Sequence, residues 1–182
     1  CTVTGAIWTP RGRNFDGVDD LINAGNTSVF NFTSQDFSVF TWVNQTASAL
    51  KGLVSRGLDN VDGWDFYVQP NATPTVLTNQ ASAQQATYSV NNCYTFKSWH
   101  LLTAVRSGAS VKLYVNGAEV SYAAQGTHIN PASSTRNLLI GDLNAVGAYN
   151  WNGLIGEVWI YNRALSLLEV NHNYLATKWR YT

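Results

Sequence analysis

The chain has 182 residues, of which 45% are hydrophobic and 12% charged, and this length suits a single domain. Its eleven basic and eleven acidic side chains cancel, which argues against a nucleic-acid-binding protein with a basic stripe and against adsorption to anionic membranes. Seven Trp, nine Tyr and seven Phe argue against disorder. No apolar run approaches the ~20 residues of a membrane span. We therefore expect one globular domain over residues 1–182, with neither nucleic acid nor membrane as a partner.

Two features concern the covalent chain. Methionine is absent, position 1 included, so we expect the chain to be part of a larger polypeptide or assembly. The two cysteines, Cys1 and Cys93, lie outside any metal-binding spacing. A disulfide between them would close a loop of roughly ninety residues and stabilise the fold by up to ~4–5 kcal/mol. Two free thiols are the alternative, and the sequence leaves both open.

In chain order, most of the sequence has the pattern of short strands. Aromatic and β-branched residues are dense in several segments, and an Asn-Gly pair at 116–117 predicts a tight hairpin. Gly and Pro recur about every ten residues, which is typical of a sandwich or barrel and not of βαβ units. The polar stretch 80–92 is interpreted as a strand edge and loop. The predicted strands are Phe37–Asn44, Trp99–Arg106, Val111–Val115, Ala118–Ala123, Arg136–Ile140 and Leu154–Tyr161.

One helix is predicted near the end of the chain. Ser166 and Glu169 have the spacing of a capping box, in which the hydroxyl accepts from the third helical N–H and the carboxylate accepts from the N-cap N–H. An apolar stripe at helical spacing follows and extends to about Ala176.

Five segments, taken together and in this order, resemble laminin G-like jelly-roll domains of the concanavalin A-like lectin/glucanase superfamily. The resemblance implies an all-β fold, a two-sheet antiparallel β-sandwich with six or seven strands in each sheet and a short C-terminal helix. The superfamily includes lectins, carbohydrate-binding modules, adhesion domains, glucanases and polysaccharide lyases, so the fold alone does not select a function. The segments are Phe15–Ile22, Phe37–Asn44, Ser98–Val105, Leu113–Gly117 and Asn152–Ser166.

An enzymatic function is not expected. A glycosidase needs two carboxyl groups that flank the scissile bond, and the Glu-x-Asp-x-x-Glu motif of glucanases with this fold is absent. The acidic pair closest in sequence within a candidate loop is Asp62 and Asp65. His100, which a lyase could use, occupies the position that the family uses structurally after Trp99.

Binding of carbohydrate is the expected function, because sugar rings stack on Trp or Tyr and their hydroxyls pair with Asp, Asn and Arg. Two loops, residues 56–65 and 142–152, contain this mixture. The candidate stacking residues are Trp64, Tyr149 and Trp151. The candidate hydrogen-bonding residues are Arg56, Asp59, Asp62, Asp142, Asn144 and Asn150. The alternative for each is structural: Trp64 would begin a buried strand, Trp151 would pack on the end of the sandwich, and the aspartates would cap turns.

Calcium is a possible cofactor, because carboxylates cluster at a predicted turn that contains Asp16 and Asp19. The family's acidic residue in the closing strand is replaced by Gly156 here, which weakens a site built across the two strands. Turn chemistry without a metal is the alternative.

These observations favour a non-catalytic carbohydrate-binding module that recognises a polysaccharide or glycan and is located outside the cell or on a particle surface. A structural or adhesion domain that mediates protein–protein contact is the alternative. A glycan-active enzyme is the third hypothesis.

Overall fold

The computed structural model describes residues 1–144 and 149–181. In this part of the chain, fifteen strands form two antiparallel sheets, one of eight strands and one of seven. The predicted β-sandwich is therefore confirmed. The eight-stranded sheet exceeds the predicted six or seven strands because three short strands extend one of its edges.

In spatial order, the eight-stranded sheet consists of β1 (Thr2–Thr4), β4 (Leu21–Asn23), β14 (Leu139–Ile140), β6 (Lys51–Ser55), β7 (Trp64–Gln69), β8 (Thr73–Gln80), β9 (Ala83–Ser89) and β13 (Tyr122–Gln125). The seven-stranded sheet consists of β12 (Ala118–Glu119), β11 (Ser110–Val115), β10 (His100–Ser107), β5 (Phe37–Gln45), β15 (Asn152–Tyr161), β3 (Gly12–Asp16) and β2 (Ile7–Thr9). One α-helix, α1 (Leu167–Thr177), and short 3-10 helices at Ser28–Phe30 and Lys178–Arg180 complete the described structure.

The core lies between the sheets, and β5 explains how it is built. Phe37, Val39 and Val43 alternate along β5 and enter the core between the sheets, where residues of β6, β7 and β8 meet them. The side chains between them, Phe40 and Trp42, enter a second buried cluster on the opposite face of the same sheet. A strand buried on both faces needs apolar residues at both odd and even positions, and five of the nine residues of β5 are apolar and divided between the two faces.

The C-terminal segment covers the outer face of the seven-stranded sheet. The predicted capping box is present: Ser166 Oγ accepts from the Glu169 N–H, and the Glu169 carboxylate accepts from the Ser166 N–H. Trp42 stacks on Tyr181 with ring centroids 4.4 Å apart, and Trp42 Nε1 donates to Thr177 Oγ1 at 3.0 Å. These contacts join the end of the chain to the middle of the sheet.

The Asn116-Gly117 pair forms the predicted turn between β11 and β12. Both residues have positive φ, 53° and 82°, as a tight hairpin turn requires.

The eight-stranded sheet differs from its partner on its outer face. Within residues 1–144 and 149–181, no helix packs against this face, and the loops that precede β7 and follow β14 border it. Polar side chains on this face are therefore available to form a surface site.

Both cysteines are free thiols in the structure, with Cys1 exposed and Cys93 half-buried. The disulfide considered above is thus not present. No described helix combines the length and the apolar character that a membrane crossing requires.

Candidate functional site

Trp64 is not a stacking residue for a ligand. Its side chain is fully buried, its Nε1 donates to the Phe30 carbonyl at 2.9 Å, and its ring centroid lies 5.0 Å from that of Phe37. The prediction of a sugar contact is wrong because β7 alternates between the two faces of the sheet. Trp64, Phe66 and Val68 all point into the core.

Trp151 requires the same correction. Its ring is fully buried in the core between the sheets, and its backbone N–H donates to the Gly141 carbonyl at 2.6 Å, immediately before β15. Asn150 is also buried, with Nδ2 3.5 Å from the Asp20 carbonyl. Tyr149 is half-buried, and its carbonyl accepts from the Gly52 N–H. Residues 145–148 of the same predicted loop lie outside the described residues.

Arg56 has a structural role and does not face a ligand. The side chain is fully buried, and Nη2 donates to the carbonyls of Asn26, Thr27 and Ser134 at 3.0 to 3.2 Å. Burial lowers the pKa of the guanidinium, and nearby Asp62 partly opposes this shift. A buried arginine with these partners joins the segment of residues 26–27 to that of Ser134 and is not exposed to a sugar.

Asp62 lies near Arg56 but pairs with another arginine. Its Oδ1 accepts from Arg136 Nε at 3.2 Å, and both side chains are partly exposed. The pair closes the loop that precedes β7.

The outer face of β7 carries an acidic residue, Asp65, in an unusual environment. Asp65 Oδ1 accepts from Ser55 Oγ at 2.6 Å, and Oδ2 accepts from Asn79 Nδ2 at 2.8 Å. The carboxyl is almost completely buried. The pKa of Asp65 is raised to about 7, mainly because the carboxyl is buried. The charge of Asp59 also raises this pKa, by a smaller amount, whereas the hydrogen bonds from Ser55 and Asn79 lower it. A carboxyl with this pKa is partly protonated near neutral pH.

Two tyrosines lie in the next row across the sheet, where Tyr67 follows Asp65 on the same face of β7. Tyr67 pairs with Thr75, and Thr75 pairs with Tyr88 on the next strand. Adjacent strands are ~4.8 Å apart, so the two tyrosine backbones are about 10 Å apart with a small side chain between them. Both tyrosines are half-buried and Thr75 is buried. Burial raises the pKa of Tyr67, and so do the charges of Asp59 and Asp65.

The two predicted loops meet at this face. Asn144 donates from its backbone N–H and from Nδ2 to Ser55 Oγ, at 3.2 and 3.1 Å, so it is joined through Ser55 to Asp65. Asp59 lies on the exposed loop before β7, and burial of its carboxyl raises its pKa. We call Asp59, Tyr67, Tyr88 and Asn144, above the buried Asp65, the tyrosine face.

Asp142 lies at the margin of the tyrosine face. It is half-buried, and burial raises its pKa, while Lys51 acts in the opposite direction. Its backbone passes so close to Gly52 that a Cβ at that position would lie 2.3 Å from the Asp142 carbonyl carbon. Glycine at position 52 thus allows the second loop to lie against β6.

Tyr67 and Tyr88 were not among the predicted site residues. The alternation that buries Trp64 and Phe66 also places Tyr67 on the outer face, so the sequence contained a signal for Tyr67. Tyr88 follows a run of Gln, Ala and Thr that has no strong strand pattern.

The carboxylates of the first predicted turn form a cluster. Ligand oxygens of Asp16, Asp19 and Asp20 lie within 4.8 Å of one another, and oxygen donors of this type suit Ca²⁺. Two of these side chains also serve the turn: Asp20 Oδ2 accepts from the Asp16 N–H, and Asp16 Oδ1 accepts from the Val18 N–H, both at 2.8 Å. The donor set fits calcium in type but supplies only part of the six to eight oxygens that the ion takes.

The sequence family agrees with this architecture. Residues 16–171 match the family model of the concanavalin A-like lectin/glucanases superfamily. The chain belongs to this superfamily, with the laminin G-like form of the fold. A comparison with curated proteins finds no match.

Solved structures with the same fold include domains of larger proteins. The sialidase of Trypanosoma rangeli is 17% identical, with a TM-score of 0.69 over 100% of this chain and 30% of the sialidase chain. The binding domain of botulinum neurotoxin DC, in complex with rat synaptotagmin II, is 14% identical, with a TM-score of 0.70 over 96% of this chain and 45% of the toxin chain. A pentraxin from Limulus polyphemus is 15% identical, with a TM-score of 0.64 over 91% of this chain and 82% of its own.

This chain therefore spans less than half of the sialidase and neurotoxin chains that it resembles. At these identities, the likeness concerns the fold.

Proposed function

We propose that the chain is a non-catalytic carbohydrate-binding domain and that it binds a neutral polysaccharide or glycan at the tyrosine face. The observation that carries the proposal is the row formed by Tyr67, Thr75 and Tyr88 on the outer face of the eight-stranded sheet. The two half-buried tyrosines lie on either side of a small buried residue, and we propose that a sugar lies along this row. The apolar C–H faces of sugar rings pack on such rings.

Polar groups next to the two tyrosines suit sugar hydroxyls. Asp59 is exposed and Asn144 is half-buried, so each has atoms that a ligand can reach from one of the two loops. Asp65 lies below them and is a positioning residue, because Ser55 and Asn79 occupy its two oxygens. The ionisable groups named here are acidic, so we expect a neutral glycan to be preferred over an acidic one.

The same contacts support a non-catalytic role. Glycoside hydrolysis needs one carboxyl group that protonates the leaving oxygen and a second that acts on the opposite side of the sugar. The raised pKa of Asp65 would suit the acid, but its burial and its two hydrogen bonds keep it away from a substrate. We therefore propose binding without bond cleavage. The release of reducing sugar by the purified chain would contradict this part of the proposal.

Location and calcium are part of the proposal. A domain that binds polysaccharide is useful where glycans are exposed, so we propose a location outside the cell or on a particle surface. We also propose that Ca²⁺, if bound, is held by Asp16 and Asp19 together with Asp20, where it would stabilise the turn. Melting the chain with millimolar calcium and with a chelator tests this proposal, because a ligand that binds only the folded state raises the melting temperature.

The experiment is a screen of the purified chain against neutral and acidic glycans, followed by calorimetric titration of the best neutral ligand. The variants are Tyr67→Ala and Tyr88→Ala, with Leu168→Ala on α1 as the control that removes an exposed apolar side chain outside both proposed sites. We expect each tyrosine variant to weaken binding by about tenfold or more (~1.4 kcal/mol per tenfold) and the control to bind like the wild type.

Two results would contradict the proposal. One is full retention of binding by both tyrosine variants, which would move the site elsewhere. The other is the absence of any glycan binding together with concentration-dependent self-association, which would favour the structural or adhesion function.

A further inference from the structure

A second concave surface lies on the opposite side of the molecule from the tyrosine face, at the edge of the seven-stranded sheet. It is an open cleft of about 610 Å³, lined by Trp8, Arg11, Gly12, Glu157 and Trp179 among others. Volumes of this order hold small ligands in proteins. We call it the tryptophan cleft, after Trp8 and Trp179.

The two ends of the chain build this cleft. Trp8 belongs to the edge strand β2, and Trp179 belongs to the 3-10 helix that follows α1. Tyr181 lies below the cleft, where its hydroxyl accepts from the Glu157 N–H at 3.0 Å. Gly156 leaves room for this ring, because a Cβ at position 156 would lie 2.6 Å from Tyr181 Cε1. The Tyr181 ring, which forms the floor of the cleft, is thus hydrogen-bonded to the sheet and lies where residue 156 has no side chain.

The tryptophan rings are exposed and ordered by specific contacts. Trp8 is 69% exposed and Trp179 is 68% exposed. The Arg13 guanidinium lies 5.8 Å from the centroid of the Trp8 ring. Trp179 Nε1 donates to the Ala176 carbonyl at 3.0 Å. Two large and mostly exposed aromatic rings that line one cleft are typical of a binding surface.

The charges around the cleft are predominantly positive. Arg11 and Arg180 line it and Arg13 lies beside it, whereas Glu157 is the acidic residue in its lining. Arg180 pairs with Glu157 Oε1. In the part of the chain that the structure describes, Arg11 forms no ion pair. A chain without net charge thus has a local cationic excess beside two tryptophans.

We propose that the tryptophan cleft is a second binding site and that its ligand is an acidic sugar, that is, a glycan residue with a carboxylate or sulfate group. The sugar ring packs on Trp8 and Trp179 through its C–H face, and Arg11 pairs with the acidic group in a charge-assisted contact. Glu157 Oε2, which is buried and has no hydrogen-bond partner among the described residues, is an acceptor in the wall of the cleft. This site is independent of the tyrosine face in position and in ligand charge.

The test is a calorimetric titration with matched ligands that differ in one acidic group, sialyllactose against lactose and a sulfated oligosaccharide against its unsulfated form. Variants Trp8→Ala, Trp179→Ala and Arg11→Gln are compared with Leu168→Ala, which removes an exposed apolar side chain from α1. Melting curves verify that each variant folds. Tyr67→Ala separates this site from the tyrosine face.

We expect at least one acidic ligand to bind more tightly than its neutral counterpart. Each tryptophan variant should weaken this binding by about tenfold or more, and Arg11→Gln should reduce the affinity to that of the neutral ligand. Added salt should weaken binding to the wild type but not to Arg11→Gln, because the ionic contact is screened. Leu168→Ala and Tyr67→Ala should not change the affinity for the acidic ligand.

Three results would overturn the proposal. The first is that no acidic ligand binds, and the second is that acidic and neutral ligands bind equally. The third is that binding of the acidic ligand is lost in Tyr67→Ala and kept in Trp8→Ala. Self-association that Trp8→Ala abolishes, in the absence of glycan binding, would identify the cleft as a protein contact. Failure at the tyrosine face alone leaves these results unchanged, because Trp8→Ala, Trp179→Ala and Arg11→Gln do not alter that face and the quantity measured is the difference between acidic and neutral ligands.

Discussion

Replacing Asp65 by Asn should change how the stability of the protein depends on pH. The carboxyl of Asp65 has a pKa of about 7 in the folded protein because it is buried, against about 3.9 in an unfolded chain. Between these values the folded state holds a proton that the unfolded state has released. The free energy of unfolding contributed by Asp65 therefore falls as the pH rises from about 4 to about 7.

The size of this effect follows from the two pKa values. A difference of about 3 units at 1.36 kcal/mol per unit gives about 4 kcal/mol of stability lost across this range. An Asn at position 65 does not titrate, and its Oδ1 can still accept from Asn79. The loss of the hydrogen bond from Ser55 is the same at every pH and leaves the pH-dependent difference unchanged. Asp65→Asn should thus gain about 4 kcal/mol relative to the wild type between about pH 4 and about pH 8.

The assay is urea unfolding of the wild type and Asp65→Asn over this pH range, and the quantity of interest is the difference between the two free energies. The wild-type curve alone is not sufficient, because His128 has the opposite dependence. Burial lowers the pKa of His128 to about 4, so its contribution is lost as the pH falls. A difference that stays constant from about pH 4 to about pH 8 would refute the reasoning about Asp65.

Three further predictions concern the fold. Trp64→Ala should lower the free energy of unfolding by about 3–5 kcal/mol, because it leaves a cavity and removes the donor to Phe30. The melting temperature should fall by about 10 °C. An unchanged melting temperature would mean that the ring is not in the core. His128→Gln should make unfolding less sensitive to acid between about pH 6.5 and about pH 4, by up to ~3 kcal/mol in urea titrations; an unchanged acid sensitivity would contradict the burial of a neutral imidazole. Ser166→Ala should lose about 1 kcal/mol of stability, measured by urea unfolding, because the Glu169 N–H loses its cap; a loss no larger than that of an exposed control substitution would contradict the capping role.

The sandwich and the helix could be predicted because local sequence and tertiary structure agree. The apolar run of β5 reflects a strand that is buried on both faces, and the Ser166 capping box needs only four consecutive residues. The Asn116-Gly117 turn likewise depends on the conformational preferences of two residues.

The site could be predicted only in part, for reasons that concern the direction of side chains. The two loops were identified, and each contributes a residue near Asp65: Asn144 through Ser55, and Asp59 through its charge. Trp64 was expected to face a ligand, although alternation along β7 directs it inward. Composition identifies aromatic residues but does not say which face of a sheet they occupy.

The tryptophan cleft could not be predicted from the sequence. Trp8 and Trp179 lie at opposite ends of the chain, and neither falls within a segment that resembles the family. They line the same cleft because β2 is an edge strand and the C-terminal segment packs across the same sheet. Such a juxtaposition depends on topology and not on local pattern.

The central claim is that a glycan binds on the outer face of the eight-stranded sheet. The most direct measurement is an amide NMR titration of the isotopically labelled chain with the best neutral oligosaccharide from the screen. The account predicts shifts that are concentrated at Tyr67, Tyr88, Asp59 and Asn144, with the seven-stranded sheet unchanged. Saturable shifts elsewhere, or no shifts at millimolar ligand, would contradict it.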